Sequence, residues 1–145
     1  MFRSVFGVLG GLMAGFWLIL GITKLGQRFF PLPTDLVGLD FNKVESFEAA
    51  ARSTPTGMLI FLVFAWGIGT FVSSGIAARI VHSNKIAHGM IVGGLFFFNS
   101  LGQTVPLPYP LWFKIVGPAV FLPMAYLGAR LVTLAPTEKP QGFPE

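Results

Sequence analysis

Long apolar runs, punctuated by single basic residues and by proline, organise this chain. Ser4 to Thr23 carries no charge and lies between Arg3 and Lys24. Ser53 to Ala78 is likewise uncharged, between Arg52 and Arg79. A third run opens at Ile86, after Lys85, and loses helical character near Gln103, ahead of Pro106, Pro108 and Pro110. The fourth covers Leu111 to Ala129, with Lys114 near one end and Arg130 closing the other. Crossing a hydrocarbon core about 30 Å thick takes about 20 apolar helical residues. The pattern therefore predicts four transmembrane helices, over residues 4–25, 55–80, 86–104 and 110–132. The first is read as an uncleaved helix: its apolar stretch is too long for a signal peptide, and no A-x-A-like cleavage site follows it.

Between the first two spans the pattern changes. Pro31 and Pro33 stop the first helix, because proline cannot continue one. Asn42-Lys-Val-Glu45 then reads as a capping box, with Asn42 as N-cap and Glu45 reaching back. A short amphipathic helix is expected over residues 43–52, with Val44, Phe47 and Ala51 on one face. Thr54 and Pro55 would restart helix as N-cap and first helical residue. The predicted fold class is all-α: an integral membrane four-transmembrane-helix bundle with an amphipathic helix in its first loop. It forms one membrane domain over residues 1–136, followed by a loose tail at 137–145.

Composition sharpens this picture. Of 145 residues, 53% are hydrophobic and only 11% charged, where soluble domains carry about 25% charged residues. So few charges cannot wet the surface of a soluble globule, and sixteen Phe exclude a disordered chain. There is no Cys, so disulfides and thiolate metal sites are excluded. The net charge of +4 suits contact with anionic membrane lipid and gives no reason to invoke nucleic acid. Basic residues divide five to five between the two sides. Arg79 and Lys85 flank a short loop on the side of the termini, which inclines the orientation toward cytoplasmic termini.

Small residues recur at helical spacing. Gly7, Gly11 and Gly15 make a groove on the first helix, and Gly69, Ser73 and Ala77 make one on the second. Gly89 and Gly93 repeat the pattern on the third, and Ala125 and Ala129 on the fourth. In lipid, helices associate through close packing and polar contacts, so these glycine-zipper faces are expected to build the bundle, a homo-oligomer, or both. Gly10-Gly-Leu12 and Gly93-Gly-Leu95 echo one another, as do Ala78-Arg79 and Ala129-Arg130, hinting at repeated hairpins. Pro118 and Pro123 predict a kinked fourth helix, each freeing a backbone carbonyl one turn earlier.

Chemistry is sparse by comparison. All six acidic residues fall in the first loop or the tail, so no span holds a carboxylate for proton coupling or cation selection. His82 and His88, near a membrane edge with no third ligand, do not make a metal or haem site. No nucleophile–base pair and no phosphate-cradling loop occurs. No catalytic residue, metal ligand or cofactor is therefore assigned. Thr70, Asn99 and Gln103 are the candidates for a small polar cavity, because an amide in hydrocarbon requires a partner. Lys24 and Arg28, one turn apart, are candidates for contact with lipid phosphate or another anion.

Pro108-Tyr-Pro-Leu-Trp112-Phe and Pro123-Met-Ala-Tyr-Leu-Gly-Ala-Arg130-Leu together resemble the end of small bacterial four-helix membrane proteins of unassigned function. Ala65-Trp-Gly-Ile-Gly69 and Gly75-Ile-Ala-Ala-Arg79 extend the likeness to the second span. The resemblance implies a bacterial inner-membrane location and transfers no catalytic residue. The expected function is that of a non-enzymatic accessory, assembly or structural subunit. The alternative is a small transporter or channel for an ion or small solute, acting singly or as a homo-oligomer.

Overall fold

A computed structural model describes residues 2–31, 44–81 and 83–134. Every regular element among them is an α-helix: α1 (Phe2–Phe29), α2 (Val44–Ser53), α3 (Thr56–Ile80), α4 (Lys85–Thr104), α5 (Leu111–Ala119) and α6 (Phe121–Leu134). Three stretches are long and apolar enough to cross a membrane: Val5–Phe29, Thr56–Ile80 and Leu111–Leu134, the last formed by α5 and α6 together. The third predicted span, α4, has 20 residues, but Lys85, His88, Asn99 and Gln103 dilute its apolar character.

Helix boundaries differ from the sequence expectation where side chains override simple rules. α1 continues past residue 25 to Phe29, because nothing breaks helix until Pro31 and long basic side chains can reach away from an apolar surface. Its 28 residues extend for about 42 Å at about 1.5 Å per residue. At the start of α3 the N-cap is Pro55, not Thr54. The Thr54 hydroxyl instead donates to the carbonyl of Ala50, 2.6 Å away, one turn back. The capping role expected of Asn42 and the tail at 137–145 lie outside the described residues. α2 starts at Val44 and buries Ser46 and Ala51 while exposing Glu45 and Arg52.

The last long apolar stretch, Leu111–Leu134, is interrupted. Pro118 sits inside α5, and its missing N–H leaves the Lys114 carbonyl without the usual helical donor. Hydrogen bonds from Val120 N–H to Val116 (3.1 Å) and from Met124 N–H to Val120 (3.3 Å) carry the chain across the break. α4 begins with Asn84 in the left-handed region, at φ 50°, a conformation that asparagine tolerates better than most residues.

α3 is the centre of the arrangement, with α1 packed on one side and α4 and α6 on the other. Alanine, serine and threonine dominate its buried positions, including Ala65, Thr70, Ser73, Ser74, Ala77 and Ala78. Small side chains let neighbouring backbones approach on several faces at once. α1 is peripheral: only 17% of its most apolar stretch is buried, against 39% for α3. Larger groups fill the middle, where Trp66 stacks on Phe121 at 5.3 Å and Phe121 on Phe96 at 5.8 Å.

Candidate functional site: a cavity between two helices

The close packing explains where the cavity is, because it shows where helices cannot part. α1 runs antiparallel to α3 along the glycine groove. A Cβ on Gly7 would lie 3.0 Å from Val81 Cγ2, one on Gly11 2.6 Å from the Ser73 carbonyl, and one on Gly15 2.6 Å from Ser73 Oγ. Gly69 faces Ile19, and Ala77 meets Gly7 and Gly11. On the opposite side, Gly89 and Gly93 of α4 receive Ala129 and Ala125 of α6. The groove on α1 is therefore filled by α3 of the same chain, and that on α4 by α6.

α1 and α4 have no such interlock. They run parallel and touch only lightly, leaving two hollows along their seam. The first has a volume of about 320 Å³, at the lower end of the range for small-molecule pockets. Phe16, Ile19, Leu20 and Thr23 of α1 form one wall. Phe96, Asn99, Ser100, Gln103 and Thr104 of α4 form the other. Trp66, Phe113, Phe121 and Tyr109 supply an aromatic floor and rim. Trp66 and Phe113 lie 5.4 Å apart and Tyr109 and Phe113 5.1 Å apart, so the floor is one continuous aromatic cluster.

The polar groups on this wall differ in how far they are already satisfied. Ser100 donates to the Phe97 carbonyl at 2.9 Å and Thr104 to the Ser100 carbonyl at 2.8 Å. Such bonds back along the helix need no function to explain them. Thr23 is different: its Oγ1 is buried and has no hydrogen-bond partner among the described residues. A buried hydroxyl without a partner costs about 1–3 kcal/mol. Asn99 and Gln103 are exposed, one turn apart at the mouth. Burial pushes the Tyr109 phenol above its ordinary pKa.

Sequence reasoning thus found two of the cavity's polar residues and missed others. Asn99 and Gln103 line it, but Thr70 does not. The Thr70 hydroxyl is buried and donates to the Trp66 carbonyl at 2.7 Å within its own helix. Thr23 takes the place that Thr70 was expected to fill. No pattern in the chain distinguishes these two threonines, since each lies in an apolar run; the Thr70 hydroxyl bonds one turn back along its helix and the Thr23 hydroxyl does not. Lys24 and Arg28 are both exposed at the end of α1 and are not part of the cavity wall.

The ends of the bundle are tied locally. Lys114 Nζ donates to the Val105 carbonyl at 3.0 Å, joining the first turn of α5 to the end of α4. His88 Nδ1 lies 3.1 Å from the Asn84 carbonyl, and His82 lies outside the described residues. Among the described residues no three His, Asp or Glu side chains gather into a metal-binding group. Arg130 lies over the Tyr126 ring at 5.8 Å from its centroid. No protein-family model matches the chain, and comparison with curated proteins and with solved structures finds no match either.

Proposed function

We propose that this chain is a non-enzymatic integral membrane protein. In this reading α1, α3, α4 and the α5–α6 pair cross a bacterial inner membrane as a four-helix bundle, with both termini in the cytoplasm. Its role is that of an accessory, assembly or structural subunit, in contact with membrane lipid and with either further copies of itself or other membrane chains.

The observation that carries this reading is the division of α1 into two faces. The inner face is the glycine groove filled by α3. The outer face carries Phe6, Met13 and Trp17, all more than half exposed. A contiguous apolar band of that kind on a single chain marks contact with lipid or with another protein. Polar groups inside the helices support the same reading, because Thr70, Ser74, Ser100 and Thr104 bond to carbonyls of their own helices.

Native mass measurement after gentle detergent extraction tests the subunit role. Recovery of a homo-oligomer or a defined hetero-complex is expected, and a monomer under every mild condition overturns it. Retention in the membrane after alkaline carbonate washing tests the spanning arrangement. A reporter fused after Glu145 tests the orientation, and activity only outside the cytoplasm reverses it.

The second reading, a small transporter or channel, draws on the cavity itself and on the interrupted α5–α6 segment. Liposomes containing the protein would then show flux of an ion or small solute above protein-free vesicles, and absence of flux across a broad panel overturns it.

A further inference from the structure

We infer that the seam between α1 and α4 is a binding site for a neutral, long-chain amphiphile, with its hydrogen-bonding head in the Thr23–Asn99–Gln103 cavity and its chain along α1 and α4. This rests on the reading of the chain as a bilayer-spanning bundle, since the seam then opens sideways to lipid.

Three features define the occupant. The first is the unmet hydrogen-bonding capacity of the wall. Thr23 Oγ1 is buried without a partner among the described residues, and the amides of Asn99 and Gln103 stand at the mouth. In a hydrocarbon setting no water is at hand to satisfy such groups. A hydroxyl, ester or carbonyl head would complete them, and a plain alkyl chain would not.

The second feature is charge. Among the described residues no Asp, Glu, Lys, Arg or His lines this cavity. An anionic or cationic head would enter an aromatic, low-dielectric space with no counter-ion among the described residues, which is far costlier than transferring a neutral one. Tyr109 at the rim is a phenol, uncharged at neutral pH.

The third is the second hollow. It also measures about 320 Å³ and is walled by Val5, Val8, Leu9, Leu12, Ile91 and Leu95, with His88 at its far end. Leu12 lies one turn from Phe16, and Leu95 is adjacent to Phe96, so the two hollows adjoin along one seam. From Gln103 to His88 the seam extends for about 22 Å, against a hydrocarbon core about 30 Å thick. A polar–aromatic hollow continued by an apolar one matches a molecule with one head and one extended chain. A water-soluble solute would leave the second hollow unfilled.

The experiment uses the full chain in phosphatidylcholine vesicles with a monoacylglycerol bearing a photoreactive diazirine at the chain end, or at a carbon next to the head. Vesicle flotation after an alkaline carbonate wash confirms insertion first, and failure to float overturns the spanning reading together with this proposal. In floated protein, the head-proximal probe is expected to label residues 16–23 and 96–104, and the chain-end probe residues 5–12 and 88–95. Excess unlabelled monoacylglycerol should abolish both patterns, and the same excess of an ionised fatty acid should not. Asn99→Leu with Gln103→Leu should reduce head-proximal labelling by about tenfold, as expected for losing roughly 1.4 kcal/mol of hydrogen bonding. Trp17→Leu, on the outer face, should leave it unchanged. Labelling spread evenly over lipid-facing positions such as Leu127 and Leu131 overturns the site, as does equal competition by the fatty acid. Because wild-type competition alone can overturn it, the test does not depend on the double variant folding.

Discussion

The hydroxyl of Ser73 on α3 donates a hydrogen bond to the backbone carbonyl of Gly11 on α1, across 62 positions of chain. The contact requires both residue types. Glycine lets α1 come close enough to present its carbonyl, and serine is short enough to donate without forcing the helices apart. Ser73→Ala should destabilise the fold by about 0.6 kcal/mol, and by no more than about 1.7 kcal/mol, the range measured for interhelical hydrogen bonds in membranes. Gly11→Leu should cost far more, since even a Cβ would lie 2.6 Å from the Ser73 carbonyl. Thermal unfolding in a fixed detergent compares the two, and an inverted order would mean that α1 does not dock through this groove.

Glycine positions divide sharply by what surrounds them. A Cβ on Gly128 would run into the Phe71 carbonyl and Ser74 Oγ, whereas one on Gly94 meets nothing within 4 Å. Gly128→Ala is expected to destabilise by about 1–3 kcal/mol, the usual range for overpacking. Gly94→Ala should be neutral, or stabilising by up to about 1 kcal/mol through helix propensity. Paired melting curves of the two alanine variants check the contrast.

Thr23 offers a substitution whose sign depends on occupancy. Replacing a buried, unpartnered hydroxyl with a methyl group of similar shape removes a desolvation cost of about 1–3 kcal/mol. Thr23→Val in lipid-depleted detergent should therefore melt at the same temperature as the parent or higher. In the presence of a monoacylglycerol, the parent should gain more stability than the variant. A large loss of stability without added lipid would show that Thr23 already has a partner.

Tyr109 makes stability depend on alkaline pH. Its folded-state pKa is raised by burial, so the folded chain holds the phenolic proton after the unfolded chain begins to release it near about 10. The contribution is intact below that pH and is lost as pH rises through the folded value. In a Tyr126→Phe background Tyr109 is the one remaining tyrosine. Its tyrosinate absorbance should titrate at higher pH in the folded protein than in denaturant, and coincident curves would contradict its burial.

Much of the helical layout was readable from the chain, and specific residues show why. The starts of α3 and α4 and the end of α4 fall within a residue of expectation because Pro55, Lys85 and the prolines after Thr104 act locally. The end of α1 was less legible, since Lys24 ends a charge-free run without ending a helix. The kink expected from Pro118 and Pro123 takes the form of two helices, α5 and α6, meeting at Val120. The cavity was half legible: amides at Asn99 and Gln103 stand out in an apolar segment, but a threonine does not.

The sequence by itself determined where apolar helices lie and which of their faces are small, because chain transfer out of water and backbone hydrogen bonding depend on local composition and spacing. Only the tertiary structure decided which small face met which. The pairing of Gly11 with Ser73, and of Gly93 with Ala125, depends on the shapes of two partners at once. By drawing α1 onto α3 and α4 onto α6, those pairings leave α1 and α4 only lightly in contact. Beside the cavity left between them Thr23 is unsatisfied, while Thr70 bonds within its own helix.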